Sequence, residues 1–188
     1  MSDLSIDGAR VAFLLTDGVE QAELVSPWQA VKDSGGTPVL VSPEPGEVQA
    51  FNHVDRAESF PVDKVVAEAR AEDFDALVLP GGVVNADAIR LDVESQRFAR
   101  EFFEQHKPVA AICHAPWLLV EAGVLDGRRL TSFPTLATDL RNAGAEWVDE
   151  EVVVDSGFVT SRKPDDLPAF NAKLIEEIRE GSHDRQHA

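Results

Sequence analysis

Short runs of consecutive apolar residues alternate along this chain with longer stretches whose apolar residues recur at helical spacing. Residues 10–16 (RVAFLLT) form one such run, closed by Asp17-Gly18, as expected of a strand buried on both faces before a turn. In residues 20–34 the residues Ala22, Val25, Trp28, Ala30 and Val31 recur at helical spacing, Pro27 kinks the helix or lies near its start, and Gly35-Gly36 supplies the stop. Residues 37–42 (TPVLVS) read as the next strand, and residues 44–63 as a turn and hairpin-like excursion. Strands follow at 75–80 (DALVLP) and 108–112, near Leu130, and at 151–154. Helices are predicted over 93–105, 115–122, 136–142 and 167–179.

That alternation predicts an α/β protein of three layers, with a doubly wound, mostly parallel sheet and right-handed crossovers. A single domain over residues 10–180 is expected, with an N-terminal extension (1–9) and a polar tail (181–188) that frays and leaves His183 and His187 solvated. Ligands of such sheets bind beyond the carboxyl ends of the strands, where the strand order reverses. This singles out the turns at 17–20, 81–87 and 113–114.

Composition narrows the chemistry. The chain has 188 residues with 34 acidic and 17 basic side chains, a formal net charge of −17, so a nucleic-acid partner is not expected because phosphates are repelled. No signal-like or membrane-spanning run is present, and the expected setting is the cytoplasm, without a membrane partner. No cofactor and no metal are expected: one cysteine gives no Cys-based metal site, and His53, His106 and His114 have no recognisable metal spacing.

The single cysteine, Cys113, follows directly on the strand 108–112 and precedes a helix. A thiol at a sharp strand-to-helix turn is lifted above the sheet, where helical N–H groups favour its anion and lower its pKa. The alternative is a small buried core residue. His114 is either a base or charge partner for the sulfur or a histidine that bonds nearby backbone. Glu20 is either a solvated first-turn glutamate or a carboxyl facing the sulfur, which raises the thiol pKa if charged and donates to the thiolate if protonated.

The segments DGVEQAEL (17–24), DALVLPGG (75–82), KPVAAICHAP (107–116) and AGAEWVDEEVVVD (143–155) together resemble the PfpI-like intracellular proteases and deglycases. These belong to the Parkinsonism-associated deglycase superfamily, with a flavodoxin-like, class I glutamine amidotransferase-like fold and a nucleophile elbow. The resemblance covers residues 10–179. It implies that Cys113 is the elbow nucleophile, His114 the histidine that follows it, and Glu20 the glutamate whose carboxyl contacts the sulfur. Protease members add an acidic residue after the GG turn, donated by a neighbouring subunit to orient the histidine. Asp87 matches that position with a side chain one methylene shorter, after a one-residue insertion in GGVVNAD. His53, Thr131-Ser132 and SRKPDDL (161–167) also match.

Three activities are then expected in order. The first is carbonyl repair of the deglycase or glyoxalase type by a Cys113 thiolate, on small carbonyl or glycated substrates, in a stress response. Second is a cysteine peptidase using Cys113, His114 and Asp87 on peptides, ranked lower because of the shortened acid. Third is a non-catalytic oxidative-stress sensor or chaperone. The resemblance implies a homodimer or a higher oligomer.

Overall fold

The computed structural model describes residues 5–186 and 188, and in it the buried apolar runs become strands of a main sheet. The strands are β1 (Arg10–Leu14), β2 (Val19–Glu20), β3 (Thr37–Ser42), β4 (Glu47–Asn52), β5 (Asp55–Pro61), β6 (Lys64–Val65), β7 (Ala76–Leu79), β8 (Val109–Ile112), β9 (Arg129–Leu130), β10 (Glu146–Trp147), β11 (Val152–Asp155) and β12 (Phe158–Ser161). Beside the main sheet, β2, β4 and β5 form a second sheet and β9 and β10 a third. The helices are α1 (Gln21–Asp33), α2 (Val83–Ile89), α3 (Val93–Glu104), α4 (Pro116–Ala122), α5 (Ala137–Asn142) and α6 (Leu167–Glu180).

The main sheet runs β11-β12-β8-β7-β1-β3-β6. Every pairing in it is parallel except β11 with β12. From β1 the chain winds outward through β3 to β6, then returns to the other flank of β1 and winds through β7 and β8 to β12. The strand order thus reverses between β1 and β7, and the loops leaving their carboxyl ends part there and open a crevice.

Successive residues of each strand alternate between two cores. Val11 and Phe13 of β1 pack with Leu24 and Val31 of α1 and Phe170 and Leu174 of α6. Ala12 and Leu14 face Phe98 and Phe102 of α3 and Leu118 and Leu119 of α4. Helices therefore cover both faces, giving the three expected layers. Pro27 lies buried inside α1, and the Asp92 side chain caps α3 by accepting from the Ser95 N–H at 2.7 Å.

The region 44–63 is a hairpin of β4 and β5, antiparallel with an irregularity between Gln49 and Phe51. It also pairs with β2, matching Val19 to Ala50 and Glu20 to Phe51, which brings the tip of the hairpin over the crevice. Two elements depart from the pattern-based expectation. Residues 83–89 form helix α2 where the double glycine suggests only a turn, and the four residues of β12 fill a sheet position that so short a run does not announce. The tail is also packed: the His183 N–H donates to the His106 carbonyl at 2.8 Å, His106 Nδ1 contacts the Gln186 carbonyl, and His183 Nε2 lies 3.1 Å from Glu177 Oε2. His183 is therefore half-buried, and His187 lies outside the described residues. Among the described residues no helix is long and apolar enough to cross a membrane.

Candidate active site

Cys113 sits one residue beyond β8 with φ of 64°, in the left-handed region that side-chain-bearing residues avoid. Both of its backbone polar groups are bound: its N–H donates to the Ser161 carbonyl at 3.1 Å and its carbonyl accepts from the Phe133 N–H at 2.9 Å. These bonds, with the start of α4 three residues on, hold the strained turn and lift the sulfur above the sheet. Because Gly accepts this backbone and Ala does not, Cys113→Gly is expected to be about 1 kcal/mol more stable than Cys113→Ala. Thermal denaturation of the two variants measures it, and equal stability would show that the elbow stores no strain.

The carboxyl that meets the sulfur is Glu23, not Glu20. Glu20 occupies the N-cap position of α1 with extended backbone, and its Oε2 accepts the His53 N–H at 3.1 Å on the rim of the crevice. Glu23, in the first turn, points inward and is fully buried. Its Oε2 accepts the Gly81 N–H at 2.9 Å, and the carboxyl adjoins the Cys113 side chain closely enough for each to shift the other's titration. Oε1 is buried with no hydrogen-bond partner, so it is the oxygen able to carry a proton. Burial foremost, aided by the charge of Glu20, pushes the Glu23 pKa up to about 8, against the hydrogen bonds to Cys113 and Gly81. Burial thus favours the protonated acid form of Glu23 near neutrality.

Burial and the neighbouring Glu23 charge also push the thiol up, against the pull of the backbone N–H groups of Gly82 and His114. The expectation of a lowered thiol pKa therefore fails for the isolated thiol, because desolvation exceeds what the N–H groups return. Cys113 and Glu23 instead titrate as a pair. With one proton lost, Glu23 and the sulfur compete for the one that remains.

His114 Nδ1 lies 3.0 Å from Sγ. Its ring stacks on Phe133 (centroids 4.7 Å apart, planes at 23°) and meets the edge of Trp117 at 5.4 Å. Burial lowers its pKa, favouring neutral imidazole. Among the described residues no carboxylate partners this ring. Asp87 is exposed on α2 and makes no bond to it within the chain.

Two glycines make the crevice possible. A Cβ at Gly81 would lie 2.3 Å from Glu23 Oε2 and 2.6 Å from Cys113 Cβ. One at Gly82, where φ is +90°, would meet the Gly18 carbonyl oxygen at 2.4 Å. Asn85, buried at the start of α2, ties the loops together: its Oδ1 accepts the Thr16 N–H at 2.7 Å and its Nδ2 donates to the carbonyls of Pro80 and Gly81 at 3.1 and 3.0 Å. The result is a cavity of about 500 Å³ lined by Cys113, His114, Glu20 and Glu23 with Phe51, His53, Val54, Val83, Val84, Phe133 and Pro164.

Glu23, Asn85 and Phe133 escape a motif-based reading. Glu23 had a signal, however: it precedes Pro27 and Val31 at intervals of four, so the buried stripe of α1 runs through an acid. As for metals, the described residues hold one group whose ligand atoms can meet, Glu177, Glu180 and His183. It lies by His106, at the amino end of β8 and away from the sulfur.

A sequence model of the DJ-1/PfpI family matches residues 9–177. Protein/nucleic acid deglycase 2 of Escherichia coli (strain K12) is 41% identical over 167 residues, 88% of this chain and 95% of that protein. YraA of Bacillus subtilis (strain 168), whose name marks it provisionally as a cysteine protease, is 40% identical over 166 residues, 88% of this chain and 96% of that protein. Among solved structures, a two-domain protein of Anabaena variabilis with DJ-1/ThiJ/PfpI-like and ferritin-like domains superposes with a TM-score of 0.86 at 34% identity; the match covers 90% of this chain and 48% of that one. With the doubly wound sheet and the cysteine elbow, these matches place the chain in the DJ-1/PfpI family.

Proposed function

We propose that this protein is a cysteine-dependent hydrolase of carbonyl repair, acting on small dicarbonyls and their adducts. The observation that carries the reading is the buried Cys113–Glu23 pair, a nucleophile beside a carboxyl whose protonated form burial favours, at the foot of a largely apolar cavity. The thiolate adds to the aldehyde carbon, and the oxygen that gains the electron pair takes the proton of Glu23. The hemithioacetal carbon then loses its proton and the neighbouring ketone carbon gains one, which oxidises the first carbon and reduces the second. Water cleaves the resulting thioester, frees Cys113 and releases a hydroxy acid, so methylglyoxal plus water becomes lactate with no outside oxidant. The N–H groups of Gly82 and His114 at the sulfur supply donors for the developing oxyanion. Relatives named as deglycases support this reading.

The contact between His114 Nδ1 and Sγ favours a second reading, a peptidase in which His114 protonates the leaving amine. Among the described residues the ring has no acid partner, so this reading also needs a second copy, with Asp87 exposed and available to it. A cytoplasmic stress role and a homodimer remain part of the proposal.

Purified protein incubated with methylglyoxal is expected to yield lactate, and Cys113→Ala none above background. Lactate from neither protein, together with cleavage of casein by the parent alone, would replace carbonyl repair by the peptidase reading.

A further inference from the structure

The end of α6 and the tail that follows it bring together donor atoms that no hydrogen bond uses. Glu177 and Glu180 stand three residues apart on one face of the helix. Gly181, with φ of +81°, ends the helix, and the chain turns back so that His183 meets the same face. One ligand atom from each of Glu177, Glu180 and His183 lies within 4.8 Å of the others. His183 Nε2 is 3.1 Å from Glu177 Oε2, yet this buried nitrogen makes no hydrogen bond. Among the described residues neither carboxylate is paired with a lysine or arginine, and Lys173, one turn earlier, is committed to Glu176 at 2.7 Å. Gln186 adds an independent observation: its side chain is fully buried, and neither Oε1 nor Nε2 has a hydrogen-bond partner. It is aimed at the same place, because a Cβ on Gly157 would meet the His183 ring at 2.5 Å and Gln186 Oε1 at 3.0 Å.

A buried amide, an imidazole nitrogen and two carboxylates with no hydrogen bond among them form a donor set for a cation. The imidazole favours ions of the zinc class over magnesium and calcium, which prefer oxygen alone. The geometry points to a zinc-binding site made by Glu177, Glu180, His183 and Gln186, in which the ion straps the C-terminal tail to α6. Tetrahedral donors each about 2.0–2.1 Å from zinc stand about 3.3 Å apart, and the 3.1 Å between His183 Nε2 and Glu177 Oε2 is already close to that. Glu180 is exposed, so its carboxylate can swing the remaining distance, and Gln186 Oε1 supplies the fourth position. The backbone holds the tail ready for this: the His183 N–H donates to the His106 carbonyl, and the Gln186 carbonyl contacts His106 Nδ1. His106 precedes β8 and Cys113 follows it, so the ion sits at the far end of that strand and takes no part in the chemistry of the sulfur. Because the four donors meet only in the folded chain, zinc stabilises that chain by mass action.

The test uses the full chain carrying Cys113→Ala, which removes the thiol as a rival zinc ligand, after treatment with a chelator and dialysis. Competition with a chromophoric chelator at about pH 7.5, where imidazole is neutral, is expected to count one zinc ion per chain. Zinc at about a hundredfold over its dissociation constant is expected to raise the melting temperature by about 5 °C or more. Magnesium and calcium at the same concentration are expected to do neither. On that background Glu177→Gln and His183→Ala should each weaken zinc by about a hundredfold, and Glu180→Gln and Gln186→Ala by about tenfold. Melting of each variant without zinc reports its folding, and the exposed Glu180 keeps the test decisive where a buried variant does not fold. Amide exchange over residues 181–186 should slow by about tenfold when zinc is added. No zinc on the Cys113→Ala chain, affinity unmoved by both Glu180→Gln and His183→Ala, or an equal melting shift with magnesium overturns the inference.

Discussion

Glu23→Gln is expected to make the protein more stable at neutral pH and to slow carbonyl turnover by about a hundredfold or more. Both effects come from one proton. The folded-state pKa of Glu23, about 8, lies above the ordinary value of 4.5. Between those values the native chain holds a proton that the unfolded chain has released, so this group's contribution to stability falls as pH rises, at about 1.4 kcal/mol per pH unit, and levels off above about pH 8. Gln has the same shape and keeps an acceptor for the Gly81 N–H, but carries no such penalty. At pH 7 the gain is at most about 3 kcal/mol. Urea denaturation of both proteins at about pH 5, 7 and 9 measures it. The parent should lose stability relative to the variant across the series; parallel curves would show that Glu23 does not titrate there. The amide has no proton to lend an alkoxide, so activity falls while stability rises, as expected where a site keeps an unfavourable group for its chemistry. Alkylation of Cys113 by iodoacetamide supplies a second reading. In the parent its rate should climb with pH through an inflection near 8, as the pair loses its first proton. In the variant that inflection should disappear.

Gly81→Ala is expected to cost about 2–3 kcal/mol and to remove most activity, although it adds a single methyl group. The new Cβ would stand 2.3 Å from Glu23 Oε2, 2.6 Å from Cys113 Cβ and 2.8 Å from the Ile112 carbonyl oxygen. None of these can yield freely: Glu23 is buried and bonded to the Gly81 N–H, and Cys113 and Ile112 belong to the strained end of β8. Relief must come from moving Glu23 away from the sulfur or from opening the gap between β7 and β8. Thermal denaturation and methylglyoxal turnover report the two costs. A variant with parent-like melting and turnover would mean that the loops after β7 and β8 are looser than their hydrogen bonds imply.

The double-buried runs at β1, β3, β7 and β8 were legible because a strand covered on both faces has no polar side to hide, and the elbow was legible because Cys113 follows one of them directly. The hairpin of β4 and β5 was visible only as an interruption. Its pairing with β2, which brings Phe51 and His53 to the cavity, joins residues about thirty positions apart. Helix α2 and strand β12 are too short to carry a period, and their form is set by what packs against them. The identity of the acid at the sulfur was the main thing local pattern could not supply. Glu20 and Glu23 lie in one motif, three residues apart, and differ by the rotation of a single helical turn. What sends Glu23 inward is the packing of Leu24, Pro27 and Val31 against the sheet. Sequence alone thus determined the α/β architecture and the thiol at the end of a strand, because both follow from local order and hydrophobicity. Tertiary structure alone decided that Glu23, not Glu20, is the buried carboxyl beside the thiol, because the burial that raises both pKa values is made by residues from α1, β7 and β8 meeting at one point.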